Sequence, residues 1–282
     1  MKLHITNSNQ GMALFHIVAI ITVAIWGGTF VSTKILINHG LAPIEIFLYR
    51  FLLAYLCIIP FSMRKLFADN VRDELMLLLC GLCGGSLYFI SENTALGITF
   101  ASNVSLLICT APIFTMLLGC VCFHQPLRKW MLGGSLLALV GVGMVVYNGS
   151  MDLGVNLLGD FLALVAALLW ACYSVMLRRL GYHYSTFFIT RKVFFYGLLT
   201  ASLFLIITSS TFNFGKLSIP VVWINLLFLG FVASMLCYVM WNAAVKVIGA
   251  AKTSNYIYCV PLVTILASVI FLSEPVTAVM LL

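Results

Sequence analysis

Long runs with almost no charge recur from one end of this chain to the other, and they limit what it can fold into. A run of about 18 or more apolar residues reads as a membrane-crossing helix. Such runs fall at 12–36, 44–61, 75–95, 103–123 and 130–147, then at 157–177, 187–207, 221–245 and 252–272, with a further start at Pro275. Composition agrees: of 282 residues, 63% are apolar and 8% charged, where a soluble domain carries about 25% charged residues. Lipid cannot satisfy open backbone groups, so helices are the natural spanning elements. The short alternating segments of a membrane barrel are absent. The expectation is an all-α, polytopic membrane protein of ten transmembrane helices.

The connections are too short for a soluble domain; 62–74 and 208–220 are among the longest. Lys2 precedes a long apolar run, which reads as an uncleaved first span, because a cleaved leader has a shorter core and a small-residue cleavage site. With a cytoplasmic N-terminus, the inner segments hold Lys2, Arg64, Lys65, Arg72, Arg128, Lys129, Arg178, Arg179, Lys246 and Lys252. The outer connections hold little beyond Lys34 and Lys216. That asymmetry is the positive-inside pattern. The net charge of +7 is thus placed for topology and for anionic lipid, and calls for no nucleic acid. The nine cysteines all fall inside spans, where small apolar packing accounts for them better than disulfides or metal. Cys80 and Cys83 form a C-x-x-C without a second pair or a histidine beside it.

The chain repeats itself. Asn93, Ala101, Ser105 and Pro112 recur as Asn242, Ala250, Ser254 and Pro261, at one offset of 149, which also carries Gln125-Pro126 onto Glu274-Pro275. Trp26 is echoed by Trp170, and Arg50 by Arg191. An ordered series of this kind indicates duplication, with units at 12–147 and 157–282. Each holds five spans, an odd number, so the second enters the membrane inverted. Inverted repeats build many secondary transporters, with the site near the midplane. The same offset maps Leu282 onto Gly133, so the tenth span is expected to be truncated relative to its counterpart.

The pattern N-x-A-L-x-x-T-x-A-S-N-x-S-L from Asn93, with Pro112 after it, resembles the EamA domain of the drug/metabolite transporter superfamily. Trp26-Gly27, the Gln125-Pro126 and Glu274-Pro275 pairs that open each fifth helix, and the glycine-rich stretch 133–146 are similar to it as well. The resemblance implies a ten-helix carrier of the cell inner membrane with both ends cytoplasmic, exporting amino acids, metabolites or toxic compounds. It implies a central cavity lined by helices three, four, eight and nine, with parts of one and six.

Glu92 lies in an otherwise uncharged stretch. A carboxylate inside a span costs at least about 2.5–3.5 kcal/mol on insertion scales, so it should face the protein interior or a wet cavity. Three readings stay open: a carboxyl that is simply protonated, structural pairing with Arg50, for which Glu45 competes on the same helix, or exchange of a proton or pairing with a cationic substrate group. Further cavity candidates are Asn103, Ser105 and Thr110 on helix four, interrupted by Pro112, and Ser254, Asn255, Tyr256 and Tyr258 on helix nine, before Pro261. Proline in a span frees backbone carbonyls that can line a cavity; Ser and Thr can equally join helices. Trp26, Trp170 and Tyr173 are candidate aromatic walls, with packing as the alternative. Arg191 and Lys192 anchor the inner leaflet or favour an anionic substrate at the inner mouth. Gly81-x-x-x-Gly85 permits close helix contact.

No G-x-x-x-x-G-K-[ST], H-E-x-x-H or G-x-S-x-G occurs, which argues against ATP-driven pumping and the common hydrolases. No cofactor and no metal site are expected. The partners are a small-molecule substrate, membrane lipid and, as a candidate coupling ion, the proton. A passive channel or lipid-handling protein is the alternative, and a monomer and a homodimer both stay open.

Overall fold

The ends of the apolar runs are set by local chemistry. The computed structural model describes residues 9–63, 65–124, 156–208 and 214–274, with scattered positions between 133 and 144. Among the described residues, eight helices are long and apolar enough to cross a membrane: α1 (Met12–Asn38), α2 (Pro43–Ser62), α3 (Val71–Ile98), α4 (Ala101–Phe123), α5 (Leu157–Leu180), α6 (Thr186–Ile206), α7 (Pro220–Ile248) and α8 (Ala250–Leu272). No strand occurs among them. The expected span at 130–147 and the segment from Pro275 lie outside the described residues, apart from those scattered positions. So do the ten-helix count, the truncated last helix and Gln125-Pro126.

α3 begins before its apolar run because Asn70 caps it, accepting from the Asp73 amide at 2.8 Å. Asp73 and Glu74 then occupy the first turn, where negative charge suits the helix dipole. Gly40 (φ +83°) turns the chain between α1 and α2, and Gly249 (φ +95°) between α7 and α8. Other residues adopt such φ values only at a cost. α4 is interrupted at Cys109–Thr110, just ahead of Pro112. α8 passes through a 3-10 stretch, Asn255–Cys259, just ahead of Pro261. Proline lacks the N–H and crowds the preceding turn. α4 and α8 also finish alike, at His124 (φ 51°) and Ser273 (φ 53°).

The main packing partners are α7 and α8 for α1, α6 and α7 for α2, α5 and α6 for α3, and α5 and α8 for α4. Exchanging α1–α4 for α5–α8 in order leaves that set unchanged. α1 finishes and α5 starts at the same end of the bundle. There Lys34 donates to the Leu96 and Thr99 carbonyls, and Asn103 donates to Asp160 at 3.0 Å. The opposite end gathers Asp73, Tyr184, Arg191, Lys192 and Lys246. Close contact of α3 with α6 depends on Gly81 and Gly85: a Cβ on Gly81 would stand 2.5 Å from the Tyr196 Cβ, and one on Gly85 3.3 Å from the Gly197 Cα. Leu52 and Leu56 on α2, and Leu262, Leu266 and Ile270 on α8, are exposed at helical spacing, as lipid-facing stripes are.

Candidate functional site

Besides α4 and α8, two helices abandon regular α geometry at mid-length. α3 is kinked within a π-type turn at Leu82–Ser86, where Gly85 leaves helical geometry at φ −129° and ψ −106°, and α7 carries a π-helical turn at Phe228–Leu236. A π turn widens the helix by a residue and interrupts the i→i−4 ladder. Here carbonyls in both turns serve the opposite half of the molecule. The Gly84 carbonyl accepts from the Tyr238 hydroxyl at 2.5 Å. The Ala233 carbonyl accepts from the Trp26 indole N–H at 3.0 Å. Gly84 and Ala233 stand 149 positions apart, the offset that relates Asn93 to Asn242.

These bonds orient the wall of a small central cavity of about 40 Å³. Trp26 meets Trp170 edge-on at 5.1 Å between ring centroids, and Tyr88 lies 5.2 Å from Trp170. Phe89 and Tyr238 line it too, as do Ile108 and Ile257; each of these two pairs is 149 positions apart. Its two charges are Arg50 and Glu92, and both residues are buried. The Arg50 Nε donates to Ser234 Oγ at 3.0 Å, and its guanidinium carbon lies 4.3 Å from the Phe89 centroid, a cation–π contact. Glu92 Oε1 accepts from the Tyr88 hydroxyl at 2.9 Å, one helical turn away.

Trp26, Glu92, Trp170 and Arg50 thus share one cavity. Other expected site residues stand elsewhere. Tyr173 is wholly buried behind the wall and donates to Asn242 at 2.6 Å. Asn103 is bound to Asp160. Ser105 and Thr110 return their hydroxyls to the Ser102 and Leu107 carbonyls, the local back-bonding open to short polar side chains. Ser254 faces Thr115 at 3.4 Å. Tyr256 bonds His16 Nδ1 at 2.6 Å. Asn255 and Tyr258 are exposed. Helix nine of the sequence, α8, reaches the cavity through Ile257 and Val260 instead. Pro112 and Pro261 stand at the interruptions of α4 and α8. Arg50 and Glu92 form no ion pair within 4.0 Å among the described residues, and Glu45 accepts from the Ala42 amide at 2.8 Å at the start of its own helix.

Arg191 donates to the Ser62, Lys65 and Leu66 carbonyls and so caps the end of α2. Lys192 pairs with Glu74. Both serve the scaffold at that end. The cavity residues that sequence reasoning passed over include Tyr88, Phe89, Tyr238, Ile108 and Ile257. Tyr88 and Phe89 precede Glu92 by helical spacing, and the 149 offset joins Tyr238 to Phe89 and Ile257 to Ile108.

Comparison with known proteins gives a consistent outcome. The model of the EamA-like transporter family matches residues 13–147 and 157–282. An uncharacterized transporter of Archaeoglobus fulgidus is 30% identical, covering 92% of this chain and 89% of its own. A probable amino-acid metabolite efflux pump of Salmonella typhimurium is 26% identical over 93% of this chain and 88% of its own. A probable terminal-alkyne amino-acid exporter of Streptantibioticus cattleyicolor is 25% identical over 90% and 84%. A protein known from a crystal structure shares the fold with a TM-score of 0.66, at 17% identity, over 97% of this chain and 92% of its own.

Proposed function

The chain belongs to the EamA-like transporter family, and from that premise we propose that it is a secondary transporter exporting small metabolites, amino acids or toxic compounds by alternating access around the Trp26–Trp170 cavity. Membership makes it a multi-pass membrane transporter rather than an enzyme. Relatives named as efflux pumps and exporters support the outward direction.

The observation that carries the mechanism is the reciprocal exchange at the two π turns, where each half holds a wall aromatic of the other. Two halves linked in this way can rock about the cavity between them. We read those halves as inverted repeats, 12–147 and 157–282, of five helices each, with a fifth and a tenth helix supplied by 130–147 and the segment from Pro275. The exchange-invariant packing and the opposed directions of α1 and α5 support this. Lys65, Arg72, Arg178, Arg179, Lys246 and Lys252 belong to the end that holds Glu74, so the positive-inside rule makes that end cytoplasmic, with the N-terminus, in the inner membrane. Glu92 handles a proton or a charged substrate group, because it is the carboxylate of the cavity.

Untargeted metabolite analysis of spent medium tests the reading, comparing cells with the full-length protein, an empty vector and Glu92→Gln. A small set of compounds enriched only by the active protein is the expected result, with loss in the mutant. No enrichment despite verified insertion would overturn export. Flux that neither saturates nor shows counterflow in proteoliposomes would replace the carrier with a channel.

A further inference from the structure

Two opposite charges face one cavity without meeting. Arg50 has its Nε committed to Ser234 and its face to Phe89. Its two terminal nitrogens have no acceptor among the described residues, yet they are not among the sealed, unpaired atoms, so they open onto the cavity it lines. Glu92 is in the same position: Oε1 accepts a hydrogen bond from the Tyr88 hydroxyl, while Oε2 has no donor among the described residues and is not sealed off either. The only ion pairs among the described residues are Lys65–Asp69 and Lys192–Glu74. Charges held apart by fixed partners in an apolar surround are left costly. What relieves them is a ligand that brings both complementary charges at once.

We propose that Arg50 and Glu92 are the specificity-determining residues of the cavity and that they select dipolar ligands. A carboxylate sits on the two free nitrogens of Arg50, whose planar fork suits it. An ammonium sits on Glu92 Oε2. The apolar remainder lies against Trp26, Phe30 and Trp170, which line the same cavity. Compounds with only one of the two charges leave the other residue unmatched and are rejected. This rests on the transporter reading of the same cavity and names which residue holds which end of the substrate.

The test is equilibrium binding to the full chain in lipid nanodiscs, so it does not depend on transport. The probes are tritiated L-phenylalanine, L-leucine and L-methionine, competed by L-phenylalaninamide, which lacks the carboxylate, and N-acetyl-L-phenylalanine, which lacks the ammonium. At least one zwitterion is expected to bind, with both single-charge analogues at least tenfold weaker. Arg50→Gln is expected to abolish the preference for L-phenylalanine over its amide, and Glu92→Gln the preference over the N-acetyl form. Ser234→Ala, which leaves both charges in place, guards against a fold defect and is expected to weaken binding of the zwitterion more than that of the amide. Equal binding of either analogue, or a preference that survives Arg50→Gln, overturns the proposal. So does failure of all three zwitterions where the spent medium shows export of another class, and that outcome leaves the transporter reading standing. Selective binding without transport in proteoliposomes overturns the transporter reading and leaves the site.

Discussion

Replacing Glu274 by glutamine is expected to loosen one end of the bundle in a measurable way. The Glu274 carboxylate accepts from the Ala101 amide at 2.8 Å, the Ser102 amide at 3.2 Å and the Ser102 hydroxyl at 2.5 Å. Those amides open α4, and the first amides of any helix have no intrahelical acceptor. A carboxylate there offers two acceptor oxygens and a charge that suits the helix dipole. Glutamine keeps one oxygen, turns an amide donor toward the others and loses the charge. Hydrogen bonds to charged groups contribute about 1.5–3 kcal/mol against about 0.5–1.5 for neutral ones, and the dipole adds about 0.3–1 kcal/mol. One bond lost and the rest weakened cost about 2–4 kcal/mol. At about 1.4 kcal/mol per factor of ten, the open form of this contact becomes at least about 30-fold more populated. Hydrogen–deuterium exchange on the protein in nanodiscs reads this directly, because exchange of protected amides tracks local opening. A peptide covering Thr99–Asn103 is expected to exchange at least about 30-fold faster in Glu274→Gln, with α2 unaffected. Unchanged exchange at Ala101 and Ser102 would refute the assignment of Glu274 as the latch at this end.

Three further changes bear on the scaffold. Gly84→Ala would set a Cβ 2.5 Å from Tyr173 Cγ, whose ring is held by Asn242; overpacking costs about 1–3 kcal/mol, and thermal unfolding in detergent is expected several degrees lower. Asn242→Ala removes the acceptor of the Tyr173 hydroxyl and the donor to Thr190 Oγ1 at 2.8 Å, so a loss of about 1–3 kcal/mol is expected, read as a lower denaturant midpoint; an unchanged midpoint would argue against this junction. Glu74→Gln removes the carboxylate shared by Lys192, Tyr196 and the Ala68 amide, and trypsin cleavage after Lys65 in the released 63–70 connection is expected to accelerate.

The membrane spans were legible because hydropathy is a property of single helices. The run 44–61 becomes Pro43–Ser62 and the run 157–177 becomes Leu157–Leu180. Boundaries moved where charge belongs to a helix start, as Asp73 and Glu74 do in α3. Trp26, Glu92 and Trp170 were readable as cavity candidates because a large aromatic or a charge stands out in an apolar run. Which polar residues of α4 turn toward the cavity was not legible: Ser105 and Thr110 satisfy themselves on their own backbone, and composition does not reveal which way a hydroxyl turns. The contact of Glu274 with Ser102 joins positions 172 apart, and no local pattern announces it. The π turns are equally silent, since LCGGS in one and FLGFVASML in the other share little beyond small residues.

Those π turns make the register of the cavity sensitive to length. Each is one residue wider than the α-helix around it, and successive α-helical residues are rotated by about 100°. Deleting a single residue between Leu82 and Ser86 would let α3 relax to regular geometry and would swing everything after it by about that angle. Glu92, Tyr88 and Phe89 would then leave the cavity together, while α3 stayed just as helical and just as apolar. Chain length at this one turn therefore encodes which face of α3 meets the cavity, and a lineage could gain or lose the charged site through a single codon insertion or deletion, with no substitution at Glu92 itself.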